Sequence, residues 1–352
     1  MDGQRIDEMN KLLPCFLQRG RRHSLAASLG CAALVLLAGC DNVEWGGVEV
    51  SIREPVYEKP DSLEAAPDSA TQPPPLQMPV GPVLFHVRRL DQTGRAILEP
   101  VAELAGGGLR AVGPRRVERS AEYQSEFVGR YFRADRPYTL FRGAARVGTF
   151  YVHEPAVSGS GLCLEFRAEG HVELRPFADT LSEFLAWPPG ARAGSDSLVA
   201  PRLRGDMRSL AQVLARRGVQ DDELTGAFRI RSPADLRALD VGDGQYSFAA
   251  TFLAGDSLGA GPPADSAGAA FIVADYAPAS GFFPIFFDAD WYGPGQKRAL
   301  RWLDAADVLG DGRHEWVLRA YGDTGSWYEM VAQRDTAWGV VWTSRRPLCE
   351  AR

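Results

Sequence analysis

The sequence predicts a mainly β fold, either a sandwich or an irregular set of propeller-like sheets, with a few short helices. Short runs of aromatic and β-branched residues recur along the chain, and turn-forming glycine and proline residues separate them. Hydrophobic residues make up 45% of the chain, which is normal for a protein that can bury a core. An α+β fold is the alternative, because two stretches with helical signals interrupt the strand-like runs.

Residues 81–200 form the first predicted β module. Two hairpins are expected in it, one around Arg142-Gly143 and one around Glu169-Gly170, because turn-forming residues lie between apolar runs at both places. The strands predicted for this module are residues 83–87, 138–141, 147–152, 162–166 and 172–174.

A short helical segment is predicted for residues 201–240. Residues 207–217 carry apolar side chains at helical spacing, and Gly218 follows them as a stop signal. The sequence at 232–235 resembles a helix N-cap followed by proline, and it predicts a second short helix that runs through Leu239.

Residues 241–352 form the second predicted β module. The chain shows no clear internal repeat of 20–50 residues, which disfavours a regular propeller. The strands predicted for this module are residues 246–253, 270–276, 282–287, 315–321, 327–332 and 338–342.

Residues 1–39 have the layout of a signal peptide. Three arginines between residues 19 and 22 precede an apolar stretch at residues 25–38, and the tetrapeptide Leu-Ala-Gly-Cys ends at Cys40. An apolar stretch of about 14 residues is too short to cross the roughly 30 Å hydrocarbon core of a bilayer as a helix.

The tetrapeptide that ends at Cys40 resembles the lipobox of bacterial lipoproteins. In that family the cysteine is linked to diacylglycerol and becomes the first residue of the mature chain. The resemblance therefore implies that Cys40 carries palmitate-type acyl chains, which hold the protein to membrane lipid. It also implies a lipid-anchored location at the cell envelope, facing the periplasm or the exterior. A secretory signal that ends in a cysteine by chance is the alternative.

Residues 40–80 are predicted to be a lipidated N-terminus and a proline-rich tether. They are rich in proline, serine, alanine and acidic residues and contain few large apolar side chains. A flexible coil of this length averages about 35 Å from end to end. The tether is thus long enough to hold a folded domain clear of the lipid head groups.

The charge of the chain argues against a nucleic-acid partner. The formal net charge is −6, and removal of the signal peptide takes away more basic than acidic groups. A protein of this charge lacks the basic surface that neutralises phosphates. Zinc is also unsupported, because no two of the five histidines have metal-binding spacing on a helix.

Besides Cys40, the mature chain keeps two cysteines, Cys163 and Cys349. An oxidising compartment allows them to form a disulfide, which would tie the chain end to the middle of the fold. The loop-entropy model assigns about 4–5 kcal/mol to a bond that closes so long a loop. The alternative is a pair of free thiols, one in an apolar run and one at a frayed end.

The sharpest motif is the sequence rich in aspartate and glycine that ends at Glu315. It resembles the calcium loop of FG-GAP/VCBS-type repeats. The resemblance implies ligands from the side chains of Asp307, Asp311 and Glu315 and from the backbone carbonyl of Arg313. Leu309 stands where that family uses asparagine or aspartate, so one ligand is missing. A weak calcium site and a plain turn between two strands are both open interpretations.

A second motif, at residues 255–259, matches the nucleophile elbow G-x-S-x-G and the tetrapeptide of the GDSL hydrolases. The resemblance implies Ser257 as nucleophile and His314 as base. An elbow requires a helix directly after the serine, and the two prolines at 262 and 263 prevent one. A hairpin loop is the alternative, and we favour it.

These observations favour a lipid-anchored extracytoplasmic protein that binds a ligand or acts as a scaffold for another envelope protein. No catalytic residues are assigned, and calcium is the one cofactor that a motif suggests. An envelope serine hydrolase using Ser257 and His314 and a calcium-stabilised adhesion module are the alternatives.

Overall fold

The computed structural model describes residues 75–191, 195, 205–221, 228–239, 247–346 and 349. The predicted signal peptide, Cys40 and most of the predicted tether lie outside these residues. In the described part, fifteen strands and two α-helices confirm the mainly β fold. No helix among the described residues is both long and apolar enough to cross a membrane.

Seven strands form one antiparallel sheet, and six of them close into a barrel. The strands are β1 (Val83–Arg89), β2 (Arg95–Ala105), β3 (Gly108–Arg110), β4 (Pro137–Arg142), β5 (Ala145–Ser158), β6 (Glu165–Leu174) and β7 (Glu183–Trp187). Their order is β1-β7-β4-β5-β6-β2-β3, and β1 also pairs with β2. That last pairing closes the ring, and β3 remains outside it as an extension of β2.

The helix α1 (Ser120–Tyr131) contributes to the barrel core. Tyr123, Phe127 and Tyr131 are spaced four residues apart, so they share one face of the helix, and all three are buried. The ring centroid of Phe127 lies 4.4 Å from that of Phe166 on β6. The sequence analysis missed this helix, because polar residues fill the other faces and no side chain caps its first turn.

Eight further strands form a sandwich of two four-stranded antiparallel sheets. The strands of the inner sheet are β8 (Asp235–Leu239), β9 (Ser247–Ala254), β10 (Ala267–Ala277) and β11 (Gly281–Tyr292). The strands of the outer sheet are β12 (Ala299–Ala306), β13 (Glu315–Tyr321), β14 (Ser326–Arg334) and β15 (Ala337–Thr343). The inner sheet has the order β11-β10-β9-β8, and the outer sheet has the order β12-β13-β14-β15.

Tryptophan side chains fill the space between the two sheets of the sandwich. Trp316 is fully buried and stacks on Trp338, with 3.7 Å between the ring centroids. Trp302 lies 5.4 Å from Trp316, and Phe271 of the inner sheet packs in the same cluster. Aromatic rings of this size remove a large apolar area from water, so this interior stabilises the sandwich strongly.

The predicted helix at 207–217 is present as α2 (Met207–Asp221), and it covers the face of the inner sheet that is turned away from the tryptophans. Gly218, expected to stop the helix, lies inside it. A Cβ atom at Gly218 would sit 2.6 Å from the ring of Phe287, so the glycine allows the helix to approach the sheet. The residue therefore serves close packing rather than termination.

Two further sequence expectations are wrong. Residues 235–239, expected to be helical, form the edge strand β8, because pairing with β9 overrides the local helix signal. Glu169-Gly170, expected to be a turn, lies within the continuous strand β6. A Cβ atom at Gly170 would lie 2.0 Å from the Tyr151 carbonyl oxygen, which explains the glycine without a turn.

The barrel packs against the outer sheet of the sandwich. Leu84, Val101 and Leu185 of the barrel form one apolar cluster with Val317 and Met330 of the outer sheet. The described part of the chain is therefore layered, with the barrel, the outer sheet, the inner sheet and α2 in that order. We call the contact between barrel and outer sheet the junction.

Candidate binding cleft

A cleft of 710 Å³ opens at the junction. Small-molecule sites in proteins have volumes of roughly 300–1,000 Å³, so the cleft has the size of a binding site. Strands β2 and β6 form one wall, and β13, β14 and residues near the C-terminus form the other. The charged side chains in its lining are Arg88, Glu99, Glu165, Arg167, Arg319 and Arg346.

Glu99 connects the two walls of the cleft. The barrel residue Arg167 lies 3.0 Å from its Oε1 atom, and Arg319 of the outer sheet lies 3.3 Å from Oε2. The Tyr328 hydroxyl donates a hydrogen bond of 2.9 Å to the same Oε2. Burial alone would raise the pKa of Glu99, but Arg319 and its other neighbours hold it below the ordinary value. Glu99 is therefore ionised at neutral pH.

His86 lies behind Glu99 and is only 1% exposed. Its Nδ1 atom is 3.1 Å from the Tyr328 hydroxyl oxygen. Since the hydroxyl hydrogen is directed to Glu99, the hydrogen-bond pattern assigns the imidazole hydrogen to Nδ1. Burial, followed by the charge of Arg319, lowers the pKa of His86 to about 4, so the ring is neutral at pH 7. Its buried Nε2 atom has no hydrogen-bond partner among the described residues.

Glu183 fixes the barrel to both sheets of the sandwich. This β7 carboxylate accepts two hydrogen bonds from Arg301 on β12 and lies 3.4 Å from Arg237 on β8. Its Oε1 atom is also 3.7 Å from Nε2 of His86, too far for a hydrogen bond. Burial would raise the pKa of Glu183, but Arg301 lowers it below its usual value. The charged groups thus join all three sheets behind the cleft.

Arg346 enters the cleft from the C-terminal end of the chain. Its Nη1 atom donates a 2.9 Å hydrogen bond to the Leu162 carbonyl. A Cβ atom at Gly113 would lie 2.0 Å from Nη2, so only a glycine leaves room for this guanidinium. Burial lowers the pKa of Arg346, because its charge is partly removed from water. Within the described part of the chain, the Leu162 carbonyl is the one hydrogen-bond partner of the Arg346 side chain, which leaves further N–H donors for a ligand.

A disulfide holds the C-terminal residues at the cleft. The structure joins Cys163 to Cys349, the pairing that the sequence predicted, with 5.4 Å between their Cα atoms. Cys163 ends a short 3-10 turn rather than a strand, and the Cys349 amide donates to the Arg346 carbonyl. Both cysteines line the cleft. The bond therefore positions Arg346 as well as closing a long loop.

The predicted calcium ligands use their oxygens inside their own loop. Asp307 accepts hydrogen bonds from the amides of Gly310 and Gly312, and Asp311 accepts one from Arg313. The buried Glu315 accepts bonds from the amides of Val308 and Leu309, and burial raises its pKa. In the described residues, no three acidic, histidine or cysteine side chains form a metal-binding group. The geometry is that of a turn between β12 and β13.

Ser257 and His314 lie at opposite ends of β13. The loop of Ser257 is bound near the end of that strand, where the Gly261 amide donates to the Gly322 carbonyl. His314 is the residue before Glu315, where β13 begins. Seven residues of strand span about 20 Å, so the pair cannot share a proton. The structure therefore does not bring the two hydrolase candidates together.

The loop that contains Ser257 is organised by a buried ion pair. Lys297, only 2% exposed, donates hydrogen bonds of 3.1 Å to Asp256 and to the carbonyls of Ser257 and Gly261. The Tyr292 hydroxyl donates to the other oxygen of Asp256. These bonds account for the aspartate and the backbone of the motif without catalysis. The loop connects β9 to β10, as a hairpin loop does.

Comparison of the chain with protein-family models, with curated proteins and with solved structures finds no match. Apart from Cys163 and Cys349, the residues that line the cleft were not identified from the sequence. A signal for them exists, because His86 and Glu99 stand inside apolar strand sequences, where a charged or polar side chain needs a buried partner. Arg346 carries no such signal, since its position depends on the disulfide and on Gly113.

Proposed function

We propose that the protein is a lipid-anchored binding protein of the cell envelope and that the junction cleft holds its ligand. The observation that carries the binding function is a cleft of 710 Å³ whose walls combine apolar side chains with fixed charged groups. Such a combination is typical of small-molecule sites, because apolar surface supplies affinity and a few polar groups supply orientation. The lipidation at Cys40 remains the proposal made from the lipobox.

The charged network supports binding because it holds the cleft walls in one geometry. Glu99 bridges the barrel and the outer sheet, and Glu183 ties both to the inner sheet. Walls fixed in this way lose little conformational freedom when a ligand enters, and a preorganised site binds more tightly. A protein that served only as a scaffold would not need a fixed cleft of this size.

Native mass spectrometry tests the binding function directly. The full chain, incubated with a small-molecule extract of the cell envelope, is expected to carry a bound mass. Ala111 is exposed and lines the cleft, so Ala111→Trp should fill the space and remove that mass. The matched control is Ala121→Trp at an exposed position of α1. No bound mass on the unchanged protein, or equal loading of the Ala111→Trp variant, would contradict the proposal.

Mass spectrometry of the N-terminal peptide tests the anchor. A diacylglyceryl group on Cys40 is expected, and Cys40→Ser should move the protein from the membrane fraction to the soluble fraction. Two or more acyl chains are needed for stable anchoring, because each buried CH₂ contributes about 0.8 kcal/mol. An unprocessed and unmodified N-terminus would contradict the anchor and leave the binding function to be judged separately.

A further inference from the structure

We infer that the junction cleft recognises its ligand through an oxyanion, a phosphate or carboxylate group on a small organic molecule, and that Arg346 holds this group. The inference rests on the proposed binding function and names the chemical class of the ligand. It goes beyond that function because a cleft of the same size could equally bind a neutral molecule.

The walls of the cleft carry more positive than negative charge. The four arginines of the lining outnumber its two glutamates, Glu99 and Glu165, and both glutamates already pair with Arg167. Arg88 and Arg346 have no carboxylate at ion-pair distance in the part of the chain that the structure describes. The unmatched charge favours an anionic ligand.

Among the arginines of the cleft, Arg346 has the surroundings that best fit an anionic ligand. Removing a guanidinium from water costs free energy unless an acceptor replaces the water. Among the described residues, Arg346 has one such acceptor, the Leu162 carbonyl. Because Gly113 has no side chain, the guanidinium can pack directly against its backbone. The planar guanidinium presents paired N–H donors that match two oxygens of a carboxylate or phosphate.

Apolar side chains in the same lining indicate that the oxyanion belongs to an organic molecule. Pro100, Ala111 and Ala260 are partly or fully exposed residues of the cleft wall, and Val112 and Leu164 lie at its base. An inorganic ion would leave this apolar surface unused, whereas a ligand with an apolar body would cover it.

Isothermal titration calorimetry of the full chain in detergent tests the inference with three probes of similar shape. Phenyl phosphate and benzoate carry the two kinds of oxyanion, and benzyl alcohol is their neutral counterpart. We expect at least one anion to bind and the alcohol not to bind, and the comparison of the two anions distinguishes phosphate from carboxylate recognition. Arg346→Gln should weaken anion binding at least tenfold.

Two variants separate loss of charge from loss of structure. Arg346→Lys keeps the charge and should bind more tightly than Arg346→Gln. Arg208→Gln removes a charge from the exposed face of α2, far from the lining of the cleft, and should leave binding unchanged. Circular dichroism of each variant establishes that it is folded. If Arg346→Gln fails to fold, the test is the anion affinity of Arg346→Lys, which should be weaker than that of the unchanged protein.

The outcomes that overturn the inference differ from those that overturn the binding function. Binding of benzyl alcohol as tightly as the anions, unchanged binding by Arg346→Gln, or no binding of either anion overturns anion recognition. The binding function would still stand if envelope molecules load the unchanged protein and fail to load the Ala111→Trp variant. If nothing loads the unchanged protein, the binding function itself fails.

Discussion

The sandwich interior and the junction are both buried contacts between two sheets, but aromatic packing predominates in the sandwich, where Arg298 joins Asp288 to Glu329, and several buried ion pairs cross the junction. Tryptophan rings such as Trp316 and Trp338 fill the sandwich interior. The junction combines an apolar patch with buried ion pairs around Glu99 and Glu183, and a cleft opens beside them. Close apolar packing stabilises the folded state and needs no hydrogen-bond or charge partners. Buried ion pairs contribute little net stability, because removing the charges from water costs about as much as their attraction returns. The contrast agrees with the proposal that the junction cleft binds the ligand while the sandwich maintains the fold.

The largest effect is expected at the centre of the sandwich. Trp316→Ala should reduce the free energy of unfolding by about 4 kcal/mol, because it leaves a cavity in a closely packed interior. Urea denaturation followed by circular dichroism measures the loss. The indole nitrogen of Trp316 has no hydrogen-bond partner among the described residues, so Trp316→Phe should cost much less. A loss below about 1 kcal/mol for the alanine variant would show that the tryptophans are not the main support of the sandwich.

A smaller but still large effect is expected at Glu183. Glu183→Gln removes the buried charge that pairs with the half-buried Arg301, which among the described residues keeps only the carboxylate of Asp235 at 3.6 Å, and breaking one partner of a buried pair costs about 3 kcal/mol. The matched control is Glu165→Gln at an exposed pair with Arg167, where a change below about 1 kcal/mol is expected. Urea midpoints of both variants provide the comparison. Equal losses at the two glutamates would mean that the junction charges are not buried as described.

The pH dependence of stability should report on His86. Its pKa is near 6.5 in an unfolded chain and about 4 in the fold, so the unfolded state binds more protons between these values. Stability should therefore fall by up to about 3 kcal/mol as the pH decreases from 6.5 to 4.

Denaturation at pH 7 and at pH 5 measures this loss. His86→Gln should flatten the slope in that window. An identical slope for the unchanged protein and the His86→Gln variant would remove His86 from the account. Glu99 and Glu183 have lowered pKa values, so their contribution to stability is lost as the pH falls below 4.5, the ordinary pKa of a glutamate, and not between pH 7 and pH 5.

The smallest effect on stability, with a clear effect on binding, is expected at Gly113. Gly113→Ala should cost about 1 kcal/mol, since the backbone φ angle of 147° is unfavourable for alanine. The added methyl group would also displace the guanidinium of Arg346, so binding of phenyl phosphate should weaken at unchanged net charge. Gly106→Ala is the control, because it also has a positive φ angle but no atom within 4 Å. Equal binding of phenyl phosphate by both variants would show that Gly113 does not affect the position of Arg346 in the cleft.

The sequence predicted the fold class because strand signals are local. Runs of aromatic and β-branched residues, such as those at β4 and β5, can be recognised as strands from the sequence alone. The hairpin at Arg142-Gly143 lies where it was expected. The barrel was not predictable, because besides the local pairing of β1 with β2 the ring requires β1 to pair with β7, which lies about a hundred residues away along the chain. The strand β8 shows the same limit, since its local helix signal is overridden by pairing with β9.

The candidate site was less predictable than the fold. Sequence motifs suggested sites at Ser257 and His314 and in the loop before Glu315. The structure places Ser257 and His314 apart, and the loop before Glu315 forms a turn held by its own hydrogen bonds. The cleft instead depends on residues from distant strands that form no linear pattern, such as Glu99 and Tyr328. The cysteine count was informative because it named both partners of the bond that places Arg346.

Hydrogen exchange of the full chain with and without phenyl phosphate tests most directly whether the junction, rather than the sandwich interior, carries the function. Slower exchange is expected at the cleft walls, in β2, β6 and β13, and unchanged exchange in β10 and β11 of the inner sheet. Protection that appears in the inner sheet, or that is absent from the cleft walls in a sample shown by calorimetry to be saturated, would contradict this expectation.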